Sequence, residues 1–301
     1  MGQEKRYAFK LKDVAKSLRQ VCFDVDKRIT GQPEGVAEFW SKANSLRHAY
    51  TVLSIMNYAE EKRKDDLQIL NASGLSCGHQ DFSIATFLRD KTDIHFTWTA
   101  YESPSNEYLS NDVFKSYISD LQLTVRLCDY NKSSDIYGED NGSDVVIFTE
   151  IAEHLDHSTL LKCLMTIRRK MKDNGIVIIT TPNLVCLENR IMILFSNGDG
   201  PYWGDGKQNY EKGLYGHIVN YDRKRMERLL RDMGYHINNA FTFTSKPYLF
   251  TSSGDPKITC LTKSIINKLI NLVLQCGNNL GRSLFIVAEK CSDYKEVPFQ
   301  I

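Results

Sequence analysis

Glu150, Glu153 and His154 fall within five residues of one another in TEIAEHL, and His217 follows later in GHIVNY. An imidazole titrates near neutral pH, so His154 or His217 can take a proton from a reacting group as a general base. A carboxylate such as Glu150 stabilises a positive centre in a desolvated pocket. Glu153 and His154 also have a structural alternative, capping a helix that begins near Ser158, because acids at a helix N-terminus stabilise it whether or not they react. Upstream, NASGLSCGHQDFS puts Gly74 and Gly78 in a turn between an apolar run and a helix. Glycine lets backbone come close to a nucleotide, and a helix start offers free N–H groups. A plain strand-turn-helix connection is the other reading of that turn. Finally, the stretch 184–217 contains NGDGPYWGDGKQNYEKGLYG, with Tyr202, Trp203, Tyr210 and Tyr215 among Gly, Asp, Asn and Lys. Rings with polar handles suit a sugar or an amine-bearing small molecule, by stacking or cation–π contact. The alternative is a surface excursion with its own small apolar cluster.

These residues need elements to position them. Val145 to Phe148 and Ile176 to Ile179 are uninterrupted apolar runs, as in parallel strands covered on both faces. Between them Leu160, Leu161, Leu164, Ile167 and Met171 recur at helical spacing, which predicts a crossover helix. Asn174-Gly175 is the expected left-handed stop of that helix. Leu67 to Asn71, Ile94 to Glu102 and Leu121 to Leu127 read as three further strands, with a helix over Ile84 to Arg89 after the first. Tyr235 to Ser245 and Leu284 to Ala288 read as the last two, and Leu261, Ile265, Leu269 and Val273 mark an amphipathic helix between them. The pattern predicts an α/β, Rossmann-like, doubly wound and mostly parallel seven-stranded sheet. Chemistry in such sheets gathers at the carboxyl ends of the strands, where strand order reverses. Residues 7 to about 64 are helical with a break at TGQPEG, which divides the chain into an N-terminal helical cap (1–64) and a main domain (65–301) with the 184–217 insert. The cap either packs on the sheet edge or serves as a lid.

With 301 residues, 42% hydrophobic and 25% charged, the chain has room for one large domain and an appendage. A net charge of +1 gives no electrostatic argument for nucleic acid or a membrane surface. Eight cysteines without C-x-x-C pairs suggest neither a zinc site nor a disulfide framework, and a reducing cytoplasm is the expected location. No run has the roughly 18 apolar residues of a membrane span.

The run DVVIFTEIAEHL with IRRKMKDNGIVIITTPN resembles strands four and five of class I S-adenosylmethionine-dependent methyltransferases, in particular the UbiG-like small-molecule and sugar-modifying subgroup. The resemblance covers roughly 67–233. It implies methyl transfer to a small-molecule or sugar-type acceptor, on oxygen or nitrogen, with S-adenosylmethionine as cofactor and no resident metal. It implies that Ser73, Gly74 and Gly78 form the first cofactor loop and that Glu102 anchors the ribose hydroxyls. By the same likeness Asp129 takes the adenine amino group, Thr149 and Glu150 face the methyl donor, and His217 lies over the active site. The family's acid before the loop is here Asn71. Two alternatives remain open. Glu150, Glu153, His154 and His217 resemble in outline the metal-holding set of small-RNA 2′-O-methyltransferases, and the altered loop is compatible with a non-catalytic binding protein on a degenerate fold.

Overall fold

A computed structural model describes residues 9–75, 79–129, 139–187, 189–191, 219–244, 262–268 and 279–291. The chain opens with two helices, α1 (Leu11–Thr30) and α2 (Glu34–Lys62). Val14, Leu18, Cys22, Val25 and Ile29 form one buried stripe on α1, at the spacing that faces a core. Gly31, in the left-handed region at φ 64°, ends α1 and donates its N–H to the Lys27 carbonyl at 3.2 Å. The second helix runs on for 29 residues despite Gly, Asn and Thr, because its Ala37, Val52, Ile55, Met56 and Ala59 are buried. Burying such side chains is worth about 1.5–3 kcal/mol each, several times the propensity differences.

Then follow β1 (Asp66–Asn71), α3 (Gln80–Lys91), β2 (His95–Glu102), α4 (Asp112–Asp120), β3 (Thr124–Leu127), β4 (Ser143–Thr149) and α5 (His157–Lys170). The chain closes through β5 (Met171–Pro182), α6 (Arg223–Asp232), β6 (Tyr235–Phe243) and β7 (Ser283–Lys290). The seven strands lie in the order β3-β2-β1-β4-β5-β7-β6, with β7 antiparallel to both neighbours and the others parallel. This is the predicted doubly wound sheet.

Alternate residues of each central strand face opposite layers. Val145, Ile147, Ile176 and Ile178 join one core with α1, α2, α3 and α4, while Val146, Phe148, Val177 and Ile179 join a second with α5 and α6. The N-terminal helices therefore cover a sheet face, not an edge, and the first core runs without interruption across residue 64. Tyr50 of α2 reaches Phe241, Phe243 and Phe285 on the last two strands.

Two local expectations are corrected. The third strand starts at Thr124, because the Leu121 and Gln122 N–H groups close a turn on Tyr117 and Ser119 and Gln122 adopts a positive φ of 54°. Asn174-Gly175 does not end the helix, since Met171 is already extended and Gly175 lies inside β5. The glycine is needed there for space. A register shift between Ser143 and Val145 brings β4 so close that a Cβ at 175 would lie 2.9 Å from the Ser143 carbonyl oxygen and 3.1 Å from that of Asp144. Of the helix expected around Leu261–Val273, the described part is 262–268; the remainder lies outside the described residues. No helix among the described residues is long and apolar enough to cross a membrane. Gly175→Ala is expected to lower stability by about 1–3 kcal/mol through this overlap. Thermal denaturation checks it, and an unchanged Tm would mean that β4 and β5 can part without loss.

Candidate active site

β1 pairs with β2 on one side and β4 on the other, so strand order reverses at β1 and a cleft opens above its carboxyl end. The Ala72 N–H donates to the Ile147 carbonyl at 2.8 Å. The Ser73 hydroxyl then donates to that same carbonyl at 3.2 Å and accepts the Thr149 N–H at 2.6 Å. The Thr149 hydroxyl in turn donates to Gln80 Oε1 at 2.8 Å, tying the tip of β4 to the first residue of α3. Gly74 has φ 100°, a conformation side chains rarely adopt, and a Cβ there would stand 3.7 and 3.8 Å from the two Glu102 carboxylate oxygens. Glu102 ends β2, is 3% exposed, and accepts the Ser103 N–H at 2.7 Å on Oε1. Its carbonyl accepts the Cys128 N–H at 2.9 Å, which puts Asp129, just past the end of β3, on the same rim. Ser73, Gly74, Glu102, Asp129, Thr149 and Glu150 thus come together at the carboxyl ends of β1 to β4. Gly78 lies outside the described residues, as do His217, Tyr202, Trp203, Tyr210 and Tyr215.

Where an acid is expected at the end of β1, Asn71 instead donates its amide to Asp81 Oδ2 at 2.5 Å. Its own Oδ1 accepts the Ser73 N–H at 2.8 Å, which shapes the loop. The other Asp81 oxygen accepts the Trp98 indole N–H at 2.5 Å. The carboxyl absent from β1 is thus supplied by the first turn of α3, ten residues on. Sequence reasoning passed over Asp81; an acid in the first turn of a helix after a glycine turn was the available signal.

Glu150 leaves β4 with a positive φ of 53°. Its N–H donates to the Thr180 carbonyl at 2.8 Å, and its Oε1 accepts the Thr180 hydroxyl at 2.7 Å. Its Oε2 lies 3.5 Å from the guanidinium of Arg47, which reaches the sheet tip from α2. Glu153 is buried, accepts the Thr181 hydroxyl at 2.8 Å, and lies 3.9 Å from His154 Nε2. Burial first, and then the neighbouring Glu150 charge, push the Glu153 carboxyl well above the usual range. Neither Glu153 nor His154 caps the following helix. That role belongs to Asp156, which accepts the Thr159 N–H at 3.0 Å, and the bonds from Thr159 hold it down at about 2. Among the described residues no group of three His, Cys, Asp or Glu side chains is placed to hold a metal ion.

A cavity of about 300 Å³ lies between the N-terminal helices and the tip of β4, lined by Asp26, Thr30, Gln32, Trp40, Asn44, Arg47, His79 and Glu150. Except for Glu150, none of these residues was a site candidate from sequence.

No protein-family model matches the chain, and no curated protein matches it. In three dimensions it is similar to a chain of a complex that contains the Haloferax volcanii Trm112 methyltransferase activator. The TM-score is 0.52 at 12% identity, over 95% of this chain and 100% of that one. The fold is that of the class I methyltransferases. An S-adenosylmethionine-dependent methyltransferase from Archaeoglobus fulgidus is similar at 15% identity and a TM-score of 0.45, over 89% and 99% of the two chains. An S-adenosylmethionine-dependent methyltransferase from Methanosarcina mazei is similar at 14% and 0.48, over 79% and 97%. At these identities the likeness shows the fold and does not reach the level of a subgroup such as the UbiG-like one.

Asp81 allows a test of this arrangement by pH. Burial raises its carboxyl from the ordinary 3.8 to about 7, against the opposing bonds from Asn71 and Trp98. A raised acid stabilises the fold fully below its unfolded value, and that contribution is lost as pH rises through the folded one. The stability advantage of the native chain over Asp81→Asn is therefore expected to shrink from about pH 4 to about pH 8 in urea denaturation. An advantage that grows with pH would place a charged carboxylate in the folded protein.

Proposed function

We propose that the chain is an S-adenosylmethionine-dependent methyltransferase acting on oxygen or nitrogen of a small-molecule or sugar-type acceptor. The observation that carries this reading is the Glu102 carboxylate, buried at the end of β2 and facing the backbone of Gly74, which has no side chain to fill the gap. A carboxylate there can accept both hydroxyls of a ribose, a bidentate geometry that a neutral side chain supplies less well. The residues present fit the group. Ser73 and Gly74, with Gly78, would lie along its amino-acid part, Asp129 would accept the adenine amino group, and Thr149 with Glu150 would border the sulfonium. When bound, S-adenosylmethionine supplies an electrophilic methyl carbon. The chain's own task is then alignment, exclusion of water and, for a hydroxyl acceptor, removal of a proton. His154, 32% exposed beside Glu153, is one candidate base, and His217 is a second from sequence alone. The aromatic residues Tyr202, Trp203, Tyr210 and Tyr215 are proposed as acceptor contacts on composition. Residues 1–64 would act as the cap, a role supported by the approach of Arg47 to Glu150.

Calorimetric titration with S-adenosylhomocysteine tests the assignment directly. The native chain is expected to bind, and Glu102→Ala to weaken binding by roughly 10- to 100-fold, as loss of a charge-assisted hydrogen-bond pair does. Equal affinity in the two proteins would remove Glu102 from the cofactor site and this reading with it.

A further inference from the structure

Asn71, the last residue of β1, uses its whole amide on neighbours. Its Oδ1 accepts the Ser73 N–H at 2.8 Å, and its Nδ2 donates to Asp81 Oδ2 at 2.5 Å and to the Gly74 carbonyl at 3.4 Å. The second Asp81 oxygen accepts the Trp98 indole N–H at 2.5 Å. Asn71 and Asp81 are wholly buried, and Trp98 is 1% exposed. The three residues belong to β1, α3 and β2, so this line of bonds joins two strands and the helix between them to the loop. Past Gly74, the Leu75 N–H donates to the Tyr101 carbonyl at 3.2 Å, and the loop is thereby held from β1 on one side and from β2 on the other. Donor and acceptor types fix each partner. Two N–H donors face the two oxygens of one carboxyl, and one amide oxygen faces a main-chain N–H. Turning the Asn71 amide over would set oxygen against the Asp81 carboxyl and N–H against N–H. An acid at 71 would keep the bond from Ser73 but have nothing to donate, so two carboxyls would face each other across 2.5 Å.

We propose that Asn71 and Asp81, oriented by Trp98, are the positioning pair of the cofactor loop, and that amide and acid are reciprocal: each residue type serves at either place only when the other type stands opposite. The proposal rests on the methyltransferase reading above. The pair acts through Ser73 and Gly74. A Cβ at Gly74 would lie 3.7 and 3.8 Å from the Glu102 carboxylate oxygens, so the width of the gap proposed for the ribose depends on where the Asn71 amide holds the loop. Asn71 is then the complement of Asp81 and no mark of a degenerate site. Restoring the family's acid at 71 alone is expected to harm binding. In the double exchange Asn71→Asp with Asp81→Asn, the carboxyl at 71 accepts from Ser73 on one oxygen and from the amide at 81 on the other. The amide oxygen at 81 accepts the Trp98 N–H. Only the long bond to the Gly74 carbonyl is lost.

Calorimetric titration of the full chain with S-adenosylhomocysteine, well below the Tm of each variant, tests the pair. Asn71→Asp is expected to weaken binding by about 10- to 100-fold, because buried groups are left facing one another without partners. Asp81→Asn, in which one amide oxygen must serve two donors, is expected to weaken it by about 3- to 10-fold. The double exchange is expected to bind within about twofold of the native chain, a recovery that independent sites would not show. Unchanged affinity in Asn71→Asp, or a double exchange that binds no tighter than Asp81→Asn, overturns the proposal and leaves the methyltransferase reading standing. Should Asn71→Asp fail to fold, the comparison of Asp81→Asn with the double exchange decides. A Tm that moves across the series while affinity does not makes the pair purely structural and likewise overturns its positioning role. Failure of the native chain itself to bind overturns the methyltransferase reading, and the positioning role with it.

Discussion

Everything at the site depends on how β1 lets go of β4. β1 turns away after Asn71, whereas β4 continues to Thr149 and would present unpaired main-chain groups to a buried gap. The Ser73 hydroxyl stands in for the missing strand by accepting the Thr149 N–H, and it donates a second hydrogen bond to the Ile147 carbonyl that already accepts the Ala72 N–H. Leaving a buried group of this kind unsatisfied costs about 1–3 kcal/mol. The departure therefore occurs at a defined residue, and it opens a cleft between two strands that stay parallel on either side. Gly74 follows at once because the chain must turn through a conformation only glycine adopts freely, directly above the Glu102 carboxylate.

Buried carboxylates behave oppositely at the two ends of the sheet. At the amino ends, Asp144 is wholly buried. It accepts Lys64 Nζ at 2.5 Å, Lys172 Nζ at 2.7 Å, the Gln68 N–H at 3.0 Å and the Tyr58 hydroxyl at 3.2 Å. Burial alone would raise this carboxyl, but the bonds from Lys172, Lys64 and Gln68 outweigh it and hold it below the usual range. It joins α2, β1, β4 and β5 into one body. At the carboxyl ends, burial wins for Asp81 and Glu153, whose carboxyls are pushed up. At one end the buried carboxylate is matched by two lysines, and at the other, where no cation among the described residues bonds directly to Asp81 or Glu153, burial holds the carboxyls above their usual range.

The N-terminal helices are part of this polarity. Their apolar stripes share the core that contains Val145 and Ile178. Their polar residues Asp26 and Arg47 project to His79 and Glu150 at the carboxyl ends of the strands. A segment that packs on the face of the sheet with one end over the carboxyl-end rim both shares the core and walls the cavity beside Glu150.

Much of this was legible in the chain itself. Strands, helices and their order followed from uninterrupted apolar runs and from the 3.6-residue period, which are properties of neighbours in sequence. The rim residues Ser73, Gly74, Glu102, Asp129, Thr149 and Glu150 were named through the resemblance to methyltransferases, and the structure gathers them on one rim because each sits at the end of a strand and all strand ends of a parallel sheet face one way. What no local pattern carries is a contact between elements. Asn71 looked like a lost acid until α3 brought Asp81 against it, and Gly175 looked like a helix stop until a shift in register brought β4 within 2.9 Å. Asp26 with His79 and Arg47 with Glu150 exist only because α1 and α2 lie where they do across the sheet face. Periodicity sets which side of an element is buried, whereas the distance between two polar groups on different elements is set by the thickness and register of the packed layers between them, and that only the folded chain decides.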